Sequence, residues 1–389
     1  PVRVAGVALI GGLLFIAFGR LLGLCWRYCT TKLRYLLPRR VANVLSVIVV
    51  AVLVVSVANG LFAKWALRTA DSAFLRLDKY IDEGVQQPAD PLATGSPDSL
   101  IPWDSIGRQG KDFIVLGPTQ AEITQFRNQQ AQQPLRVYVG LRTRETPAER
   151  AKLALDELKR IGAFNRSLLV VATPTGTGWL DPAAVDTLEY LHAGDTAIVS
   201  MQYSYLPSWI TILVDPNRSR VAAQALFNEV YAYWKTLPDD NRPRLYLHGL
   251  SLGSLGSETS AELLSIFEDP IHGAVWSGPP FPSTNWASLT RRRNPDSPAW
   301  LPTFRDSRAI RFTGQQNSLD LAGKPWGPIR VVYLQHASDP MIFFSPDLLY
   351  RRPQWLIGPR GPDVSPYLEW YPIITFLQIA FDLPMATSI

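Results

Sequence analysis

The chain of 389 residues contains only two cysteines, four histidines and three methionines. So few cysteines exclude a disulfide-stapled scaffold, and zinc binding by the two would need more ligands than the sequence offers nearby. Cys25 and Cys29 stand four apart without further ligands nearby and read as free thiols. Neither a metal nor another cofactor is expected. Charge is also scarce, at 18% of residues against 47% hydrophobic, where an average soluble chain carries about 25% charged residues. A disordered tail protein is thereby excluded. Acids are absent from the first 70 residues, which hold nine of the 38 basic side chains, leaving 29 basic against 33 acidic residues beyond. The overall +5 therefore belongs to the amino-terminal segment, and nucleic-acid binding loses its compositional support.

That segment is built of long apolar runs. Val4–Phe18 has no charge, and apolar character resumes from Leu21 to Leu24; Val41–Ala63 runs 23 residues without a charge. At 1.5 Å per residue the second run spans about 35 Å, against a bilayer core of about 30 Å. Two transmembrane helices, near 4–24 and 41–63 of a membrane region 1–70, are expected. Between them lie Arg27, Lys32, Arg34, Arg39 and Arg40, and short positive loops stay cytoplasmic. The expected placement is a multi-pass cytoplasmic membrane protein with everything after about Arg68 on the exocytoplasmic side. Because the first residue is Pro1, further sequence with additional helices is expected upstream.

Residues 71–110 read as a connector: an amphipathic stretch (Phe74, Leu75, Leu77, Tyr80, Ile81), then a loop rich in Pro, Asp, Ser and Gly. From 111 to 389, short β-branched runs alternate with helical patterns. Strands are expected at Phe113–Leu116, Leu135–Val139, Leu168–Ala172, Ala197–Tyr203, Arg244–His248, Gly273–Ser277 and Ile329–Gln335. Helices are expected at Thr146–Ile161, Ala183–Leu191, Val221–Lys235, Gly253–Phe267 and Trp370–Asp382, the third with Phe227, Val230, Tyr231 and Trp234 on one face. This alternation is the mark of an α/β domain with a mostly parallel sheet.

The most informative stretch is Gly249-Leu-Ser251-Leu-Gly253, directly after an apolar strand and before a helical run. A nucleophile elbow needs this order, because its serine sits on a strained turn and strand and helix approach only where neighbouring side chains are missing. Ser251 is the expected nucleophile, and the Leu252 N–H an oxyanion donor. A second donor belongs in the loop after Leu168–Ala172, where Thr175, Gly176 and Thr177 are the candidates. A triad of this kind continues with an acid and then a histidine. Asp339 follows the strand Ile329–Gln335 at the acid position, while Ser277-Gly-Pro-Pro-Phe281 offers no acid. No histidine follows Asp339: His192, His248, His272 and His336 are the four. The preferred expectation places the base beyond Ile389, with His336 as the in-chain alternative.

With these motifs the chain resembles the bacterial integral-membrane alpha/beta-hydrolase family, on the strength of His248–Gly253, Thr173–Trp179 and Gln335–Pro340. The resemblance implies membrane helices followed by an alpha/beta-hydrolase domain with Ser251 as nucleophile and Asp339 as acid. It also implies a carboxy-terminal histidine, from which this chain departs. Two insertions, about 204–220 and 278–328, read as lid-like. The first carries Leu206, Trp209, Ile210 and Ile212; the second carries Trp286, Trp300 and Trp326 with Arg291, Arg292, Arg293, Arg305, Arg308 and Arg311. They are expected to form an apolar entrance with cationic flanks, a solvated basic face being the alternative. The expected partners are membrane lipid and an acyl ester, with no nucleic acid and no protein partner indicated. The expected activity is a serine esterase or acyltransferase; the competing expectation is an exported scaffold of the same fold without catalysis.

Overall fold

The computed structural model describes residues 2–35, 37–59, 69, 73–76, 85–261, 268–321 and 323–385. The chain divides into two units, Pro1–Ser72 and Ala73–Ile389.

The first unit is a helical hairpin, Val2–Leu33 and Arg39–Asn59. The first helix runs on through Cys25–Leu33, so most of the expected cytoplasmic loop is helical and the turn shrinks to 34–38. With neither proline nor glycine from Leu24 to Tyr35, nothing in the sequence breaks the helix earlier. Leu22, Trp26, Val47 and Val54 line one apolar groove between the two helices. Ser46 is buried there and returns its hydroxyl to Ala42 O at 2.6 Å, so no polar group is left unsatisfied by it. Among the described residues no helix is long and apolar enough to cross a membrane. The expected span 41–63 extends past those residues, and most of the expected connector helix 74–81 also lies outside them.

The second unit is built on a seven-stranded sheet in the order β1-β3-β2-β4-β5-β7-β6. The strands are β1 Leu135–Val139, β2 Leu168–Thr173, β3 Thr196–Met201, β4 Arg244–Leu250, β5 Gly273–Ser277, β6 Ile310–Thr313 and β7 Arg330–Leu334. Every pairing is parallel. A parallel sheet is covered by helices on both faces, which is why β1, β2 and β3 are buried throughout.

The covering helices follow from the sequence. Pro147–Arg160 starts at a capping box, Thr146 accepting from the Glu149 N–H while the Glu149 carboxylate takes the Thr146 N–H, with proline at its first position. Such a cap contributes about 1 kcal/mol. In Asn217–Trp234 the predicted face of Phe227, Val230, Tyr231 and Trp234 is buried.

Two expectations are overturned. Phe113–Leu116 is not a strand but the end of the helix Arg108–Val115. A four-residue apolar run carries no period of its own, and here Gly110 lets the helix settle directly on the Tyr138 ring, where a Cβ would stand 2.3 Å from its Cδ1. Conversely, Ile310–Thr313 is a strand inside what reads as a continuous insertion: β6 pairs with β7 at the sheet edge. The 278–328 segment is thus a shorter excursion followed by an edge strand.

Candidate active site

The strand ends fall in register. Leu250 pairs with Ser277 and Ser277 with Leu334, so β4, β5 and β7 finish in one row. Thr173 at the end of β2 pairs with Gly249. The loops carrying Ser251, Gly278, Asp339 and the 173–179 turn therefore leave the sheet side by side along its carboxyl edge, where open α/β sheets place their ligands.

Ser251 stands between β4 and the helix Leu252–Ser260 with φ 53° and ψ −122°. That conformation is costly for a residue with a side chain, about 1–3 kcal/mol, and persists because its surroundings fix it. The Ser251 N–H donates to Ser277 O at 2.8 Å, and Ser251 O accepts from the Ser254 N–H and hydroxyl at 2.9 and 2.7 Å. The flanking glycines are required by contact. A Cβ on Gly253 would stand 2.1 Å from Thr173 O and 2.5 Å from Pro174 O, and one on Gly249 2.6 Å from Gly253 O. The expected reason for Gly-x-Ser-x-Gly is visible atom by atom.

Asp339 lies two strands away. A Cβ built on Gly278 would be 3.5 Å from Asp339 Oδ2 and 3.9 Å from Ser251 Cα, so the carboxylate and the elbow share one neighbourhood. The other oxygen, Oδ1, accepts from the Met341 N–H at 2.8 Å and caps the short helix Pro340–Phe343. Burial pushes the Asp339 carboxyl up to about 6, against the lowering effect of the Met341 N–H and of His336. Above that pH it is an anion oriented across Gly278 toward the elbow.

The structure separates the three expected oxyanion donors. The Thr175 N–H is taken by Trp179 O at 3.0 Å and the Gly176 N–H by Ser208 Oγ at 3.0 Å. Among the described residues the Thr177 N–H donates to no group. The Leu252 N–H opens its helix, where no carbonyl four residues back can meet it. The 173–179 turn is itself clamped: Tyr203 donates its hydroxyl to Pro174 O at 2.9 Å, and the Gly176 backbone lies against Leu206 O and Ser208. Sequence reasoning missed Tyr203 and Ser208. Tyr203 ends the expected strand Ala197–Tyr203, and Ser208 falls in the 204–220 segment, expected as a lid but in fact the wall behind this turn, with Leu206 and Ile212 buried.

The histidines are dispersed. His248, buried in β4, donates Nδ1–H to Val275 O at 3.2 Å and is pushed down in pKa by burial, which keeps it neutral. His272 accepts the Leu245 N–H near the start of β4, at the far end of the sheet, and His192 ends the helix Pro182–Leu191. His336 is at the correct edge, half-exposed, with Nδ1 4.0 Å from Asp363 Oδ2. Asp363 also accepts from the Ser338 N–H and hydroxyl at 3.0 and 2.8 Å. Among the described residues no histidine is hydrogen-bonded to Ser251 or Asp339, and a base beyond Ile389 lies outside them. Among the described residues no cluster of side chains could hold a metal ion.

The elbow helix also carries a buried carboxyl that the sequence pattern hides. Glu258 Oε2 accepts from the Tyr333 hydroxyl at 3.1 Å and the Trp286 N–H at 3.3 Å, while Oε1 is buried with no hydrogen-bond partner. Burial raises this carboxyl to about 7. The folded state then holds its proton where the unfolded chain, near the ordinary 4.5, has lost it, so stability falls as pH rises from about 4.5 through 7. Glu258→Gln keeps an acceptor for Tyr333 and Trp286 without the charge. It is expected to raise stability at pH 8 by about 2–3 kcal/mol and to flatten this slope, measured by urea unfolding across the pH range.

The comparisons with known proteins agree with this geometry. The sequence profile described as the alpha/beta-hydrolase family matches residues 135–389, and the profile of the alpha/beta-hydrolase family N-terminus matches residues 1–118. No curated protein matches the chain. One solved structure, from work on LipS and LipT, two metagenome-derived lipolytic enzymes, aligns at 13% identity over 45% of this chain and 86% of its own. Its TM-score is 0.23.

Proposed function

Since the chain belongs to the alpha/beta-hydrolase family, we propose that it is a membrane-anchored serine hydrolase that cleaves or transfers acyl groups of lipid or envelope esters. The observation that carries this reading is Ser251, held at φ 53° on the elbow beside Asp339. In the proposed reaction Ser251 Oγ attacks the ester carbonyl carbon and its proton passes to a base. The developing oxyanion meets the Leu252 N–H and a donor of the 175–177 turn, Thr177 being the uncommitted one. The tetrahedral intermediate collapses as the leaving alkoxide takes the proton from the base, giving the acyl-enzyme. Water, or a second alcohol, resolves it by the reverse path. Asp339 orients the base as an anion; His336 is the in-chain histidine at that edge.

A second reading, a scaffold of the same fold without catalysis, is favoured by the lack of a histidine bonded to Ser251 or Asp339 among the described residues. A fluorophosphonate probe separates the two. The enzyme is labelled at Ser251, mapped by peptide mass spectrometry, and labelling slows as pH falls below about 6, where Asp339 gains its proton. A folded protein left unmodified is the scaffold.

The anchoring part rests on the acid-free first 70 residues and on Ile16, Phe18, Leu21, Val44 and Ile48, which are exposed on the two helices. Exposed apolar side chains along both helices fit a lipid solvent. The five basic residues between the expected spans support a hydrolase domain on the exocytoplasmic side. Membrane fractions washed with alkaline carbonate are expected to retain the chain, and detergent to release it; release by carbonate alone would refute the anchor.

A further inference from the structure

A cavity of about 700 Å³ opens between the helix Thr284–Arg291 and the loop 345–355. It is lined by Phe281 and Ile342, each three residues past Gly278 and Asp339 of the candidate active site. The Phe281 N–H donates to Met341 O at 2.7 Å, which closes the loop after Gly278 onto the short helix that Asp339 caps. That helix presents Phe343 to the cavity. The Phe343 ring packs edge-on against Trp286 at 6.0 Å and beside Trp355 at 5.8 Å, and Trp355 Nε1–H donates to Phe343 O. Buried indole and phenyl faces, with their polar atoms already bonded elsewhere, leave an apolar floor.

The rim is of the opposite character. Arg291, Arg293, Arg351 and Arg352 line it against a single acid, Asp347, whose Oδ1 is engaged by the Tyr350 hydroxyl at 2.9 Å. Arg293 is bound to Ser297 O and Thr290 O, and Arg352 to Leu356 O. Arg291 and Arg351 make no side-chain hydrogen bond or ion pair among the described residues. Three of the other arginines expected at the entrance are employed elsewhere. Arg311 lies over Trp326 at 3.9 Å and is bound to Ser307 O and Leu319 O, while Arg292 and Arg305 stack on Phe304.

From this we infer that the cavity binds the substrate, an ester that joins an apolar chain to an anionic group, with the chain on the Phe343 floor and the anion between Arg291 and Arg351. The inference rests on the hydrolase reading for its chemistry, but the binding stands apart from it. The volume fits a single small ligand, and a guanidinium without a carboxylate of its own is the side chain suited to a phosphate or carboxylate.

The test uses the full chain in a neutral detergent and calorimetric titration with octyl phosphate, octyl glucoside and inorganic phosphate. Octyl phosphate is expected to bind at least about tenfold tighter than either of the others, and Arg291→Glu with Arg351→Glu to remove about tenfold or more of that affinity. Both arginines are exposed, so the variant is expected to fold, as its circular dichroism and melting temperature will show. Equal binding of octyl glucoside shows that charge is not read. Equal binding of inorganic phosphate shows that the chain is not bound. Unchanged affinity in the double variant shows that the arginines are not the site. Each of these overturns the inference. Fluorophosphonate labelling of the same samples keeps the two proposals distinct: labelled Ser251 without octyl phosphate binding sinks the cavity alone, and binding without labelling sinks the hydrolase alone.

Discussion

Ser251→Ala is expected to remove fluorophosphonate incorporation entirely and to lower ester turnover by on the order of 10⁴–10⁶-fold, the loss seen when a triad nucleophile is deleted. The residual rate belongs to the oxyanion donors and to binding. Stability gives an independent check. Alanine keeps the Cβ that makes φ 53° costly, so Ser251→Ala is expected to unfold at nearly the wild-type denaturant midpoint. Ser251→Gly relieves the strain and is expected to be more stable than the alanine variant by about 1 kcal/mol or more. A glycine variant no more stable than alanine would show that the turn is relaxed in solution, and the elbow argument would fail with it.

Gly253→Ala is expected to do comparable damage without touching a reacting atom. The new methyl group would lie 2.1 Å from Thr173 O and 2.5 Å from Pro174 O, and both are backbone atoms that no side-chain rotation can move aside. Either the elbow helix shifts away from β2 or the 173–179 turn does. Overpacking of this kind costs about 3 kcal/mol or more when backbone must give. The displacement separates the Leu252 N–H from the Thr177 N–H, and a misplacement of about 1 Å is worth roughly 100-fold in rate. Labelling of the folded fraction, isolated by size-exclusion chromatography, is therefore expected to be at least about 100-fold slower. Wild-type labelling and stability in Gly253→Ala would mean that strand and helix are not in contact as described.

How much of this was legible beforehand depends on how far a residue's role is local. The elbow was readable because strand, turn and helix each leave a mark in adjacent residues, and because the serine needs glycines at fixed offsets. The place of Asp339, after β7 and near the elbow, was readable through the order of the chain. The Phe113–Leu116 run was misread because four apolar residues fit a helix end as well as a strand. Ile310–Thr313 was missed because an edge strand of four residues with an arginine in it lacks the apolar run of a buried one. Nothing in the sequence around Glu258 marks it, and only packing shows Tyr333 and Trp286 closing over it.

The sequence by itself determined the acid-free amino-terminal segment, the parallel α/β core and the strand–turn–helix elbow at Ser251, since each follows from composition, period or spacing within a few residues. The tertiary structure alone decided which amides are left to face an oxyanion, which arginines keep an uncommitted guanidinium, and that Arg351 and Trp355 meet Arg291 and Trp286 across about sixty residues of chain. Hydrogen bonds and desolvation act between groups that folding brings together, and no local pattern records which of them will be neighbours.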